Sequence, residues 1–445
     1  MGFTRTFRAV SGAVLAGALV LVSAPGAAAD QTREDQWPLE AFDAQAIWKI
    51  SKGEGVTVAV IDEGVYADHV DLKGNVIQGK DFVDGGATTP KYGDSHGTSM
   101  AAIIAGHGHG PGSSDGVMGL APETKILDIR DIGLRPDGFA GSIRYAVDHG
   151  ASVINISQGG PGANDEKAEA DAIAYAFQKD VLVVASTGNN GQGVEFPANY
   201  PGVVAVGGVK NDGTIWEDSN RGPSALLSAP ATSIVSAGNK SDTAYVSGTG
   251  TSDATAFVSA AAALLRSKFP DLTAGQIANR LTKTAGLPDS AKSVSLPDER
   301  YGYGFIQPLA ALKEDIPAGP KNGPLSVPES LKGGTGNADT AQPSNNAAAG
   351  DDESSSSTAE SKRIIILVGV GVVALVVLAL VILLIVKIAR RGKRDDGGPG
   401  GPGGPGAPSG WGGNGHPQYG QQPQYQQGGS PYQQQPQAPG RWPNQ

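Results

Sequence analysis

Short, continuous apolar runs alternate along this chain with stretches in which apolar residues recur every three or four positions. The runs 56–61, 181–187 and 203–209 are rich in Val, Ile and Ala, and 125–130 and 152–157 hold Ile, Leu and Val around one internal Asp or Asn. That pattern predicts strands buried on both faces. Between them, 97–106, 142–149 and 165–179 carry helical spacing, with Gly150 placed to cap the second. Two further helices are expected, 252–269 and one starting at Thr273, with Pro270 between them. Thr273 and Gln276 have the spacing of a capping box. Leu39, Phe42, Ile47 and Ile50 give 30–52 a helical lead-in. Strands and helices in alternation predict an α/β fold, a parallel sheet covered by helices on both faces. Chemistry in such a fold belongs where strand ends meet helix starts.

The pattern changes at both ends. Arg5 and Arg8 precede an apolar run over 9–22, and Ala27-Ala28-Ala29 offers small residues for cleavage before Asp30. This is the form of a secretory signal peptide, 1–29. After the domain, 313–361 is rich in Pro, Gly, Asn and Ser and reads as a flexible extracellular linker. Ile364 opens and Val386 closes a run of 23 residues without a charge. As a helix it would be about 34 Å long, enough to cross a bilayer. Five basic residues follow it within 387–394 and only Lys362 and Arg363 precede it, so the tail 387–445 is expected inside and the rest outside. The tail, dominated by Gly, Pro and Gln, cannot build a core.

Composition removes some functions. The net charge of -10 argues against a nucleic-acid partner. With no cysteine, thiol catalysis, disulfides and thiolate metal sites are excluded. His107 and His109 have His-x-His spacing, but no third ligand is evident nearby, so they read as a solvated loop and no metal or cofactor is expected.

Three segments carry chemistry: Val58-Ala-Val-Ile-Asp62-Glu-Gly64, His96-Gly-Thr98 and Gly250-Thr-Ser252-Asp-Ala254. A serine hydroxyl becomes a nucleophile when a histidine takes its proton and a carboxylate orients that histidine. The order Asp, His, Ser resembles subtilisin-type serine proteases. The resemblance extends over about 50–312 and includes Gly188-Asn189, Asn155-Ile-Ser157-Gln-Gly-Gly160, Gly119-Leu-Ala-Pro122 and Tyr200-Pro-Gly-Val. It implies that Asp62, His96 and Ser252 are the triad and that Asn189 and the Ser252 N–H hold the oxyanion. It further implies that Ser157, Gln158, Gly159 and Gly160 pair with an extended substrate. Glu195, just before Phe196-Pro197, has two readings. It is either the floor of the primary specificity pocket, where it would favour a basic side chain, or a surface position. The departures are Ala256 in place of Pro, Gln158 in place of Leu, and Glu63, whose second carboxylate is expected to raise the His96 pKa.

Signal peptide, protease domain, Pro-containing linker and one C-terminal membrane helix together are similar to the mycosins, membrane-anchored proteases of type VII secretion systems. The 53–312 domain would then be a peptidase processing a limited set of protein or peptide substrates, in contact with secretion components of the membrane. The stretch between 30 and Asp62 is too short for the usual folded inhibitory pro-domain. Two other readings stay open: a structural subunit of a membrane complex whose catalysis is dispensable, and a general cell-surface protease.

Overall fold

The computed structural model describes residues 31–332. The predicted signal peptide, the run 364–386 and the tail lie outside the described residues. Among the described residues no helix is long and apolar enough to cross a membrane.

Three short helices come first: α1 (Gln31–Glu34), α2 (Trp37–Ala41) and α3 (Ala44–Trp48). They are clamped to the domain. The Trp37 and Trp48 indole N–H groups donate to the Thr232 and Leu120 carbonyls, each at 3.0 Å. Gln36 exchanges two hydrogen bonds with the Met118 backbone, and Ile47 is fully buried.

The main sheet has seven parallel strands in the order β2-β5-β1-β6-β7-β8-β9. They are β1 (Thr57–Asp62), β2 (Val76–Asp81), β5 (Lys125–Arg130), β6 (Val153–Ile156), β7 (Leu182–Ser186), β8 (Val203–Val209) and β9 (Ala225–Pro230). Two hairpins stand apart from it, β3 (His107–His109) with β4 (Asp115–Met118), and β10 (Ile234–Ala237) with β11 (Tyr245–Gly248).

Alternation along each strand divides the core. Val58, Val60, Ile126, Val184 and Val206 face α4 (His96–Ala105) and α7 (Thr251–Lys268). Ala59, Ile61, Ile129, Ile154 and Val183 face α5 (Ala140–Asp148) and α6 (Glu166–Gln178). The α7 helix is buried from Thr251 to Arg266, and its alanines let its backbone lie close to the sheet. The chain order reverses across β5, β1 and β6, so the crevice at the carboxyl ends of these strands is where a ligand is expected.

Thr273 forms the anticipated capping box with Gln276 at the start of α8 (Ala274–Lys283). Gly150 takes a left-handed conformation after α5. The edge strands β2 and β9 escaped the sequence pattern: Gly79 interrupts one and Pro230 ends the other, as edge positions tolerate.

Two segments differ from expectation. His107 and His109 are not a solvated loop. Both lie in β3, where His109 Nδ1–H donates to the buried Asp71 carboxylate at 2.7 Å and His107 bonds the Lys73 carbonyl at 3.0 Å. A buried carboxylate requires such donors, and Asp71 is too distant in sequence for spacing to reveal the pair. The first part of the segment read as a linker is also packed. The buried Arg280 on α8 donates to the carbonyl of Ala311 in α9 (Pro308–Lys313) and to those of Glu314 and Ile316 just beyond it. Leu325 is buried in the same region, and α10 (Glu329–Lys332) follows.

Candidate active site

Asp62 is the last residue of β1 and is wholly buried. Its carboxylate accepts the Glu63 N–H at 2.8 Å and the Gln158 amide at 3.2 Å. The third donor is His96, whose Nδ1 lies 2.8 and 3.0 Å from the two oxygens. His96 opens α4, and the close seat of that helix explains Gly97. A Cβ there would stand 2.4 Å from the Gly64 carbonyl oxygen and 3.1 Å from the Asp62 Cβ. The far edge of the His96 ring stays open, its side chain 35% exposed.

Ser252 lies in the first turn of α7, where the helix dipole favours developing negative charge. Its Oγ donates to the Ser157 carbonyl at 2.8 Å, and Ser157 Oγ donates back to the Ser252 carbonyl at 3.0 Å. The Ser252 hydroxyl is thereby docked on the segment expected to bind substrate, and it makes no hydrogen bond to His96 in this structure. Behind Ser157, Asn155 accepts from Ser259 at 2.9 Å and donates to Ser157 Oγ at 3.0 Å. The network is buried throughout.

Asn189 approaches the same helix end. Its Oδ1 accepts both the Thr251 N–H and the Thr251 hydroxyl, each at 2.8 Å. With the oxygen occupied twice, the Asn189 NH2 has no acceptor among the described residues, and neither has the Ser252 N–H. Two free donors beside the Ser252 hydroxyl are what an oxyanion there would require.

Electrostatics single out further groups. Burial alone would lower the His96 pKa; the charge and hydrogen bond of Asp62, with Asp253 and Glu63 adding, outweigh it and push it up to about 9. Burial raises Asp253 to about 7, against the pull of His96. Glu63 is raised too, by burial and then by the charge of Asp62. Asp128, on the neighbouring strand β5, is pushed by burial up to about 7, and its Oδ1 has no hydrogen-bond partner.

The structure therefore brings together Asp62, His96, Ser252, Asn189, Ser157 and Gln158. Gln158, expected to shape a substrate subsite, turns its amide to Asp62 as well. Gly159 and Gly160 follow in the segment after β6, where Gly160 forms an isolated antiparallel bridge with Phe196, and this segment lines a cavity of about 300 Å³ with Phe139 and Phe196. Glu195 lies against Gly159 and Gly188. Sequence reasoning missed Thr251, Asn155 and Asp253. Only Asp253 left a signal, as a carboxylate beside the nucleophile in an otherwise Ala-rich helix.

Comparison with known proteins agrees with this geometry. Residues 53–304 match the model of the subtilase family, Peptidase S8. Mycosin-1 of Mycobacterium tuberculosis is 36% identical over 337 residues, covering 63% of this chain and 73% of that one. Subtilisin DY of Bacillus licheniformis is 35% identical, covering 58% of this chain and 92% of its own length. Among solved structures, MycP1 from Mycobacterium smegmatis covers 65% of this chain and 88% of its own at 31% identity and a TM-score of 0.56. The MycP3 protease from the type VII (ESX-3) secretion system covers 63% and 88% at 34% identity and a TM-score of 0.55. The chain belongs to the subtilase family, peptidase S8, and is a subtilisin-like serine protease.

Proposed function

We propose that this protease cleaves peptide bonds with Ser252 as nucleophile, His96 as general base and Asp62 as the group that orients His96. The observation that carries this is the convergence of the Asp62–His96 pair, the Ser252 hydroxyl and two unoccupied N–H donors at one helix start. An extended peptide pairs with the segment 157–160 that continues beyond β6, whose glycines allow close backbone approach. Ser252 Oγ leaves the Ser157 carbonyl, gives its proton to His96 Nε2 and attacks the peptide carbonyl carbon. Ser252 N–H and the Asn189 amide hold the tetrahedral oxyanion. His96 then protonates the leaving amine, and water releases the acyl group by the reverse sequence.

The sequence of 1–29 and 364–386 supports a place of action. Export by residues 1–29 and a membrane helix at 364–386 would hold the 53–312 domain outside the cell, close to the bilayer, with the basic tail inside. Together with the similarity to mycosin-1 and MycP3, this supports work on a limited set of protein substrates at a type VII secretion machine.

A fluorophosphonate probe tests the chemistry. The full-length chain is expected to label and the Ser252→Ala variant is not; an unlabelled wild-type chain would overturn the assignment. Secretion in a deletion strain, complemented with wild type or Ser252→Ala, tests the setting. Equal secretion would separate proteolysis from any role in export.

A further inference from the structure

We propose that Gln158 is a positioning residue for the base of this site: its side-chain amide, held against Asp62, restrains the pull of that carboxylate on His96. The inference rests on the protease reading above and adds a residue to it.

Strand register puts Gln158 there. β6 runs parallel to β1 with Ile156 opposite Ile61, so the chain just beyond β6 passes the end of β1, where Asp62 lies. Two consecutive residues then serve two partners. The Ser157 carbonyl receives the Ser252 hydroxyl, and the Gln158 Nε2–H donates to Asp62 Oδ1 at 3.2 Å. An ionised carboxylate only accepts, so the NH2 of the amide must be the end that faces it.

Asp62 is wholly buried, and a buried carboxylate needs donors. Among the described residues three reach it: the Glu63 N–H and His96 Nδ1, each 2.8 Å from Oδ1, and the Gln158 amide. Gln158 is thus the one side chain besides His96 that hydrogen-bonds Asp62. All three converge on Oδ1, while Oδ2 receives only His96, at 3.0 Å. The amide draws on the oxygen that His96 approaches most closely, and it presents the positive end of its dipole to the same space. Both effects weaken the attraction for an imidazolium.

The surroundings of His96 give this restraint its use. The ring faces Asp62 from β1, Glu63 just after it and Asp253 from α7; these carboxylates raise its pKa, and burial opposes them. Asp94 and Arg130 act on Glu63 with opposite signs, and Arg130 is itself paired with Asp81 and Asp84. Gln158 joins the opposing side without adding a charge. The result is a larger share of neutral imidazole, the form that takes the Ser252 proton.

The test is the pH dependence of inactivation by diisopropyl fluorophosphate, with the full-length protein in mild detergent. The reagent carries no peptide, so its rate does not depend on pairing with 157–160. Its phosphorus bonds to Ser252 Oγ, fluoride leaves and the hydroxyl proton passes to His96, so the profile reports His96 in the free enzyme. Gln158→Met keeps the length of the side chain and loses the donor. Its midpoint is expected above that of the wild type, with inactivation at pH 7 slower by roughly 3- to 10-fold and equal rates once His96 is neutral in both. Gln158→Glu, which sets a further carboxylate beside Asp62, is also expected to move the midpoint up. A midpoint unmoved or lowered in either variant overturns the proposal, and so does a rate reduced equally at every pH. Wild-type protein that reacts while the variants keep its midpoint removes only the role of Gln158. Wild-type protein that does not react removes the protease assignment and this inference together.

Discussion

At the level of single side chains, the base of this site sits among carboxylates. Asp62 holds His96 by hydrogen bond, while Asp253 and Glu63 add negative charge. With its pKa pushed up to about 9, His96 is protonated in the free enzyme at neutral pH and cannot accept the Ser252 proton. The pH profile of kcat/KM is therefore expected to rise toward the alkaline side, with its midpoint near 9. Asp253→Asn removes one of the raising charges, so its midpoint should lie below that of the wild type. Coincident profiles would show that Asp253 does not act on His96. Thr251 offers a second test. It occupies the Asn189 oxygen and leaves the NH2 for the oxyanion. Thr251→Val keeps the backbone tie and loses the hydroxyl, so kcat should drop roughly 10-fold, short of the 10²–10³ cost of losing the donor outright. KM should change little; a loss confined to KM would contradict the orienting role.

At the level of elements, the apolar runs of the central strands and the capping box of α8 could be read directly. The reason is physical: a parallel strand buried on both faces must be largely apolar, and a helix start must satisfy its own N–H groups. The edge strand β2 is largely exposed and so left no clear pattern, while β9, buried for most of its length, is a short run broken by Ser228 and ended by Pro230. The proposed triad was legible because its residues stand in short segments of small neighbours, whereas the contacts of Thr251 and Asn155, and the turn of the Gln158 amide to Asp62, depend on residues distant in sequence. The same limit applies to 313–332, whose Pro- and Gly-rich composition resembles a linker. Arg280 overrides composition there, donating four hydrogen bonds to three carbonyls while its guanidinium lies 4.2 Å from the Phe269 ring centroid. Arg280→Met is expected to cost about 2–4 kcal/mol, since several buried carbonyls lose a charged donor. Limited proteolysis should then open sites within 314–325 before the domain is cut. Unchanged resistance there would mean that Leu325 and the α8 contacts suffice.

At the level of the whole molecule, several acidic groups give the fold a pH dependence opposed to that of the chemistry. An aspartate in an unfolded chain ionises near pH ~4, but Asp128 and Asp253 do so near 7 in the fold. Between those values the folded chain binds more protons than the unfolded one, so stability falls as pH rises through the window. For Asp128, with one oxygen lacking any partner, the loss is at most about 4 kcal/mol, complete above pH ~7. His96 has the same sign: its contribution is present below its unfolded pKa of ~6.5 and lost as pH rises through 9. Thermal unfolding of the Ser252→Ala protein, chosen to prevent autolysis, should therefore give a higher Tm near pH 5 than near pH 9. Asp128→Asn removes a buried charge at pH 8 and should raise Tm there, with little gain at pH 4.5, where the wild-type carboxyl is already neutral. Equal Tm values for the two proteins at pH 8 would show that the Asp128 carboxylate carries no such penalty in the fold. The conditions that free His96 to act as base are thus those in which these groups contribute least to the fold, and an enzyme working near neutral pH would operate on the lower limb of its own rate profile.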